Sequence, residues 1–149
     1  NQLGGRLLAK GRNYIVTFNG QQEYYILGTN FRRLGEGYFL KQEQIENPKE
    51  VADVFEDSNP LELKVILRGI TPGRYVVKKR VVSPKEGSLL AEWGKFGYDN
   101  GLGSPEVKYI RQLSVPRLSM KKIETAEPKL QIEETLSAHE IMFLHLYPA

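Results

Sequence analysis

Cysteine is absent from the chain, and only two histidines are present, His139 and His145. The protein therefore forms no disulfide and no thiolate metal site. Two isolated histidines are also too few for a zinc site or a catalytic triad. No apolar run approaches the roughly 18 residues that a membrane-spanning helix needs. A chain without cysteine fits a reducing compartment, so we expect a cytoplasmic protein that binds no metal and no cofactor.

Motifs for phosphate binding and nucleophilic catalysis are missing as well. Residues 101–103 read Gly-Leu-Gly but lack the lysine and the preceding strand of a phosphate-binding loop, and Ser88 and Ser114 lack a nucleophile elbow. The net charge of +3 is too small to indicate a polyanionic partner. The basic cluster at residues 78–80 is typical of a charged strand edge. We therefore expect no direct contact with nucleic acid.

Carboxylates are numerous in one polar stretch, but they are not arranged for catalysis. A glycosidase needs two carboxyl groups about 5 to 10 Å apart, one of them with a raised pKa. The candidates have no apolar neighbours to raise a pKa; they are Glu46, Glu50, Asp53, Glu56 and Asp57. The sequence predicts no catalytic residue. It predicts instead a long surface excursion over residues 31–60, with a helical turn near residues 48–55, and a functional loop remains an alternative.

Alternating apolar and polar residues are the main structural signal. Residues 61–68 alternate with a period near two, and the turn Thr71-Pro72-Gly73-Arg74 predicts a hairpin with residues 75–82. Residues 14–18 and 23–30 flank Asn19-Gly20, which predicts a second hairpin with a two-residue turn. Residues 129–136 are expected to pair with residues 141–147. This last strand is apolar on both faces, so we expect it to be central and buried on both sides.

Two short helices interrupt this pattern. Ser88 is a candidate cap for a helix over residues 89–96, which Gly97 ends in a left-handed conformation. Ser104 followed by proline and glutamate starts a second helix, which Pro116 ends. Residues 117–125 follow as an extended arm. Residues 12–149 are thus predicted to form a mainly β fold, an antiparallel β-sandwich with one or two short inserted helices.

Four short motifs give this sequence a family resemblance. They are Gly87-Ser88 with Trp93 five residues after the serine, Ser104-Pro105-Glu106, Ser114-Val115-Pro116 and Ala138-His139-Glu140. Together, residues 61–148 resemble the C-terminal β-sandwich of glycoside hydrolase family 39, the β-xylosidase family. The resemblance implies a non-catalytic accessory domain that packs against and stabilises a catalytic barrel. The family's catalytic acid and nucleophile lie on barrel strands, which no part of this chain matches.

The N-terminal residues 1–11 form a separate segment under this interpretation. Leu3, Leu7 and Leu8 lie at helical spacing, and Gly11 is a stop signal. The resemblance implies that this segment is a remnant helix or linker from the preceding barrel. Its leucines would then form an interface, either with the sandwich itself or with a second copy in a homo-oligomer.

Two other functions remain open. The family commonly has asparagine, histidine and aspartate where this chain has Ser83, Glu86 and Ala91. These departures fit the similar domain at the end of some AraC-type transcription regulators, where it would belong to the ligand-sensing part. The third possibility is a carbohydrate-binding module, in which aromatic side chains stack on sugar rings. Candidate stacking residues are Trp93, Tyr24 and Tyr25, with Tyr38 and Tyr98 as further members.

Overall fold

The computed structural model describes residues 5–36, 55 and 57–149, which form an antiparallel β-sandwich of two unequal sheets. The strands are β1 (Arg6–Lys10), β2 (Tyr14–Phe18), β3 (Tyr24–Thr29), β4 (Leu61–Arg68), β5 (Gly73–Val82), β6 (Arg117–Thr125), β7 (Lys129–Leu136) and β8 (Ile141–Pro148). The helices are α1 (Leu89–Gly94) and α2 (Ser104–Leu113). The large sheet has the order β1-β2-β3-β8-β5-β6, and the small sheet consists of β4 and β7. The predicted fold class is confirmed.

The core lies between the two sheets, and strand β8 is at its centre. Met142, Leu144 and Leu146 are fully buried on its inner face, where they meet core residues of the small sheet such as Leu136. The predicted central position is confirmed, since β8 lies between β3 and β5. The prediction that both faces are buried is wrong at Ile141, whose outer-face side chain is 50% exposed. No helix among the described elements packs on that face.

Two predicted hairpins are wrong in their pairing. β4 pairs with β7 instead of β5, and β8 pairs with β3 and β5 instead of β7. In both cases the chain crosses from one sheet to the other between consecutive strands. At the turn between β4 and β5, Gly69 and Gly73 have positive φ angles of 72° and 150°, which let the chain reverse its direction. They do not determine whether the next strand joins the same sheet or the facing one, since either arrangement buries the apolar face.

The β2–β3 hairpin is confirmed, but its connection is longer than predicted. It spans residues 19–23 instead of two residues. The side-chain oxygen of Asn19 accepts a hydrogen bond from the Gln21 amide at 2.9 Å, and the Asn19 amide donates to the Glu23 carbonyl at 3.2 Å. Gln22 supplies a positive φ of 59°. The side chain of Asn19 thus helps to close a wider loop. A two-residue turn does not require such a side-chain hydrogen bond.

The predicted N-terminal helix is wrong for the described part of that segment. Residues 6–10 form strand β1, which pairs with β2 and has a bulge between Leu7 and Ala9. Pairing with the free edge of β2 satisfies backbone groups that a short, glycine-flanked helix would hold only weakly. Leu3 lies outside the described residues. Leu7 and Leu8 are 53% and 43% exposed, and their interface role stays a prediction.

Both predicted helices exist, with altered ends. α1 ends at Gly94, two residues early, and Gly97 has the expected positive φ of 67°. Ser88 is at the N-cap of α1, but its side chain makes no capping hydrogen bond. Gly103, not Ser104, caps α2. The predicted extended arm over residues 117–125 is strand β6, paired with β5. The helical turn predicted at residues 48–55 lies outside the described residues except for Phe55.

Candidate functional site

The predicted sugar-stacking residues Trp93, Tyr24 and Tyr25 lie in three different parts of the fold. Tyr24 faces inward and packs on Phe18, with ring centroids 5.0 Å apart. Tyr25 is the next residue of the same strand, so its side chain lies on the outer face. Trp93 belongs to α1, where its indole nitrogen donates to the Asp99 carbonyl at 2.8 Å. These three residues therefore do not form one stacking platform, and Tyr38 lies outside the described residues.

Tyr25 belongs instead to a polar cluster on the outer face of the large sheet. Its ring stacks on His145 at 4.6 Å, and its hydroxyl donates to a Glu23 carboxylate oxygen at 2.7 Å. This hydrogen bond is the main cause that lowers the pKa of Glu23 below its usual 4.5, and the contact with His145 acts in the same direction. Glu23 is therefore an anionic acceptor, whereas a glycosidase acid needs a raised pKa.

Exposed apolar side chains gather at one end of the sandwich, which we call the helix end. It is formed by the connections at residues 30–36, 83–116 and 137–140. Its exposed large hydrophobic residues are Phe31, Leu34, Leu89, Leu90, Val107, Tyr109, Leu113 and Val115, followed by Ile141 at the start of β8. At the opposite end, none of the described residues in the connections 19–23, 69–72 and 126–128 is an exposed large hydrophobic residue. Apolar clustering of this kind is typical of interaction surfaces.

The two helices enclose a groove at the helix end. The groove has a volume of about 560 Å³, and its lining is formed by Leu89, Leu90, Trp93, Leu102, Val107 and Ile110 together with Ser88 and Arg111. Leu89 is 58% exposed and Leu90 is 47% exposed. No carboxylate lines the groove, so it offers apolar contact area and a cation but no acid or base for hydrolysis.

The two ends of the helical segment meet next to the sheet. Arg117 forms an ion pair with Glu86 at 2.7 Å. Gly87 has a φ of 71°, and a Cβ atom there would lie 2.8 Å from the Val115 carbonyl oxygen. Only glycine fits both the backbone angle and this close approach. The Gly87-Ser88 motif therefore has a structural explanation, since it lets the two ends of the segment meet where β5 and β6 begin to pair.

Asn30 is the polar anchor of the helix end, and sequence reasoning missed it. Its side chain is 1% exposed, and its amide nitrogen donates to the carbonyls of Leu136 at 2.9 Å and Asn59 at 3.0 Å. Its backbone amide donates to the Glu140 carbonyl, and its carbonyl accepts from the His139 amide. The residue thus joins the two ends of the β3–β4 connection to the end of β7 and to the β7–β8 connection. The only sequence signal was an asparagine directly after an apolar strand.

His139 lies beside this anchor, in a left-handed conformation with a φ of 60°. Its ring contacts Phe55 at 3.9 Å and Phe31 at 6.0 Å. Burial is the main cause that lowers the pKa of His139 below its usual 6.5, and the charge of Arg32 lowers it further. The folded protein therefore favours the neutral imidazole.

We expect stability to fall when the pH drops from 7.5 to 5.5. The unfolded chain binds a proton at His139 near pH 6.5, whereas the folded chain binds it only at lower pH, so the contribution is full above 6.5 and is lost as the pH falls. His139→Asn keeps a residue that tolerates positive φ but does not titrate. Urea unfolding at the two pH values should show a smaller pH dependence for the variant. An unchanged dependence would contradict this role of His139.

Within residues 5–36, 55 and 57–149, no group of three or more histidine, aspartate and glutamate side chains could hold a metal ion. Over the same residues, no helix is long and apolar enough to cross a membrane.

The fold is similar to part of several solved glycoside hydrolases. A monomeric β-xylosidase from Caulobacter crescentus CB15 matches 99% of this chain with a TM-score of 0.75 and 16% identity. The GH39 enzyme from Xanthomonas axonopodis pv. citri matches 99% with a TM-score of 0.71 and 14% identity. A bacterial orthologue of human α-L-iduronidase matches 95% with a TM-score of 0.58 and 10% identity.

This chain spans 29%, 28% and 23% of those three chains, respectively. No protein-family profile matches the sequence, and no curated protein matches it significantly. The comparisons give no support to the AraC-type alternative. At such low identities the likeness concerns the fold, and the chain therefore has the fold of a minor part of these glycoside hydrolases.

Proposed function

We propose that this chain is the non-catalytic accessory β-sandwich of a larger protein related to the family 39 glycoside hydrolases. The observation that carries the proposal is the whole-chain likeness to only 29% of a β-xylosidase chain. In this interpretation the domain packs against a catalytic barrel outside residues 1–149 and stabilises it. The larger protein would be a β-xylosidase-like hydrolase.

The chemistry of the described residues supports a non-catalytic role. Neither of the two largest described cavities is lined by a carboxylate. Among partly buried carboxylates, Glu134 is paired with lysines and Asp57 with Arg32. Glu23 has a lowered pKa because it accepts a hydrogen bond from Tyr25. Glu23 is thus held in its charged form, and the general acid of glycoside hydrolysis requires the opposite.

The helix end supplies the surface for packing against another domain. Its groove exposes apolar side chains from both helices, and the two ends of the segment meet at Gly87 and at the ion pair of Glu86 with Arg117. Apolar area contributes about 25 cal/mol per Å² when it is buried, so several leucines provide useful stabilisation.

A double substitution tests this function. Leu89→Ser with Leu90→Ser should lower the Tm of the catalytic part of the full-length protein, by about 2 to 4 °C for each kcal/mol of lost contact. The isolated chain should keep its own Tm, because both side chains are largely exposed in it. Met120→Ser is the matched control, since Met120 is equally exposed but lies on edge strand β6.

The isolated chain should also fail to hydrolyse aryl β-xylosides. Turnover that disappears when one acidic residue is replaced would contradict a non-catalytic role. A full-length protein whose catalytic part melts at the same temperature with and without the leucines would contradict the packing role of the helix end.

A further inference from the structure

The outer face of the large sheet differs from an ordinary solvent-exposed sheet face. Such a face usually carries polar side chains, and the small sheet follows this rule with charges of both signs, as in the pair of Lys64 with Glu133. In the large sheet, the strand register places a row across all six strands that contains rings and a cation but no carboxylate. This row consists of Leu7, Thr17, Tyr25, His145, Lys78 and Met120.

Four rings form a continuous line on this outer face, and we call it the ring row. Phe143 lies 6.1 Å from Tyr25, and Tyr25 stacks on His145 at 4.6 Å, measured between ring centroids. His145 in turn lies 4.8 Å from Tyr147. All four side chains are half-buried. Residues 143–147 of an extended strand span about 14 Å, so the ring row offers a surface to an extended ligand.

Basic side chains on β5 run parallel to the ring row. Arg80 lies opposite Phe143, and Lys78 lies opposite His145. Both basic side chains are half-buried, and neither pairs with a carboxylate in the part of the chain that the structure describes. Alternate residues of a strand are about 7 Å apart. Two unpaired cations at this spacing can bind two carboxylates of a ligand that runs along β8.

A hydrogen-bond acceptor lies on the other side of the ring row, at the start of β3. Glu23 contacts the Tyr25 hydroxyl at 2.7 Å, the Asn19 amide nitrogen at 2.6 Å and His145 at 3.4 Å. All three contacts involve one carboxylate oxygen, Oε2. The other oxygen, Oε1, has no hydrogen-bond partner among the described residues. It is therefore able to accept hydrogen bonds from the hydroxyl groups of a ligand.

The order of these groups across the face distinguishes between classes of ligand. The core of a protein interface is apolar and depleted of charged residues, and its rim is polar. The outer face has the reverse order. Charged groups flank the ring row, whereas Leu7 and Met120, which are more than half exposed, lie on the edge strands β1 and β6. A ligand that combines rings with hydroxyl and carboxylate groups therefore fits this face better than the apolar core of another protein.

We propose that the ring row and the two β5 cations bind an extended acidic oligosaccharide, a chain of sugar rings that carries uronate groups. The sugar rings pack on Phe143, His145 and Tyr147, and the carboxylates pair with Lys78 and Arg80. Of the predicted sugar-stacking residues, only Tyr25 belongs to this site. The ring row is separate from the helix end, so the inference does not depend on the proposed packing role of the groove.

Calorimetric titration of this chain tests the inference. The acidic probes are oligogalacturonate and glucuronoxylan oligosaccharides, and a neutral xylo-oligosaccharide of equal length is the control. An acidic probe should bind roughly tenfold more tightly than the neutral one, and added salt should reduce this difference. Equal affinities, or no saturable binding of either acidic probe, would overturn the inference. Tighter binding of single-stranded DNA would overturn it too, because the face would then be a nucleic-acid surface.

A pair of charge variants locates the site. Lys78→Gln with Arg80→Gln should weaken binding of the acidic probe by roughly tenfold. Arg68→Gln with Lys129→Gln is the matched control, since these exposed residues are cross-strand partners in the small sheet and their replacement removes the same charge. Equal losses in the two double variants would show that net charge alone attracts the probe, and this would overturn the inference.

A ring variant gives a second readout that leaves the charges unchanged. Tyr147→Ser should weaken binding of the acidic probe, because it removes one end of the ring row. Tyr109→Ser should leave the affinity unchanged, since Tyr109 is an exposed aromatic residue of α2 at the helix end. Unchanged affinity in Tyr147→Ser would show that the rings do not contact the sugar and would overturn the proposed site.

Discussion

Replacing Asn30 by leucine should lower the free energy of unfolding by about 2 to 3 kcal/mol. Leucine has a similar size but donates no hydrogen bond. The Leu136 carbonyl, which accepts from Asn30 at 2.9 Å in a buried position, then loses its side-chain donor. The Asn59 carbonyl loses less, because Asn59 is exposed and its carbonyl also accepts from Arg32. Urea unfolding at neutral pH measures the difference.

Asn13→Leu is the matched control for this experiment. Asn13 also donates its side-chain amide to a backbone carbonyl at the helix end, that of Thr29 at 3.0 Å, but it is only partly buried. Water can replace its hydrogen bond, so its loss should cost less than about 1 kcal/mol. Equal effects of the two substitutions would show that Asn30 does not anchor the β3–β4 and β7–β8 connections.

The second large effect is expected at Glu134. Its carboxylate lies between the sheets, where it pairs with Lys79 at 2.5 Å and with Lys121 at 3.3 Å. Its side chain is only 11% exposed. Glu134→Gln leaves the partly buried ammonium group of Lys79 without a counter-charge, and this should cost about 2 to 3 kcal/mol. The value is below the usual range for a buried pair because both lysines keep some contact with water.

Glu133→Gln provides the comparison from the same strand. Glu133 faces outward and pairs with Lys64, and both side chains are more than half exposed. An exposed pair contributes only about 0 to 1 kcal/mol. Thermal or urea unfolding of the two variants should therefore differ clearly, and a Glu134→Gln protein as stable as Glu133→Gln would contradict the role of the buried cluster.

The sequence predicted the positions of the strands better than it predicted which strands pair with each other. The alternating pattern of residues 61–68 and the apolar pattern of residues 141–147 were enough to predict two strands. Both strands exist. Pairing failed because the turns at Gly73 and at residues 137–140 change the sheet as well as the direction. The helix predicted from the spacing of Leu7 and Leu8 is a strand instead, because these residues pair with the free edge of β2. Local periodicity contains no information about such a partner.

The candidate site was predictable only in part. Gly87, Ser88 and Trp93 were selected by resemblance, and they do lie at the helix end. Asn30 and Glu134 were missed, since their partners are distant in sequence, with Asn30 and Leu136 separated by 106 positions and Lys79 and Glu134 by 55. The tyrosines were grouped by composition, although neighbouring residues of a strand face opposite sides.

The central position of β8 has a consequence for how the protein is made. β8 alone joins the β1-β2-β3 half of the large sheet to the β5-β6 half, and it pairs Tyr24 with Leu146. During translation, at about 5 to 20 residues per second, the two halves must wait for residues 141–148 to leave the ribosome before the sheet can close. Until then each half presents an open edge to other nascent chains, so chaperone demand should be highest just before synthesis of this strand is complete.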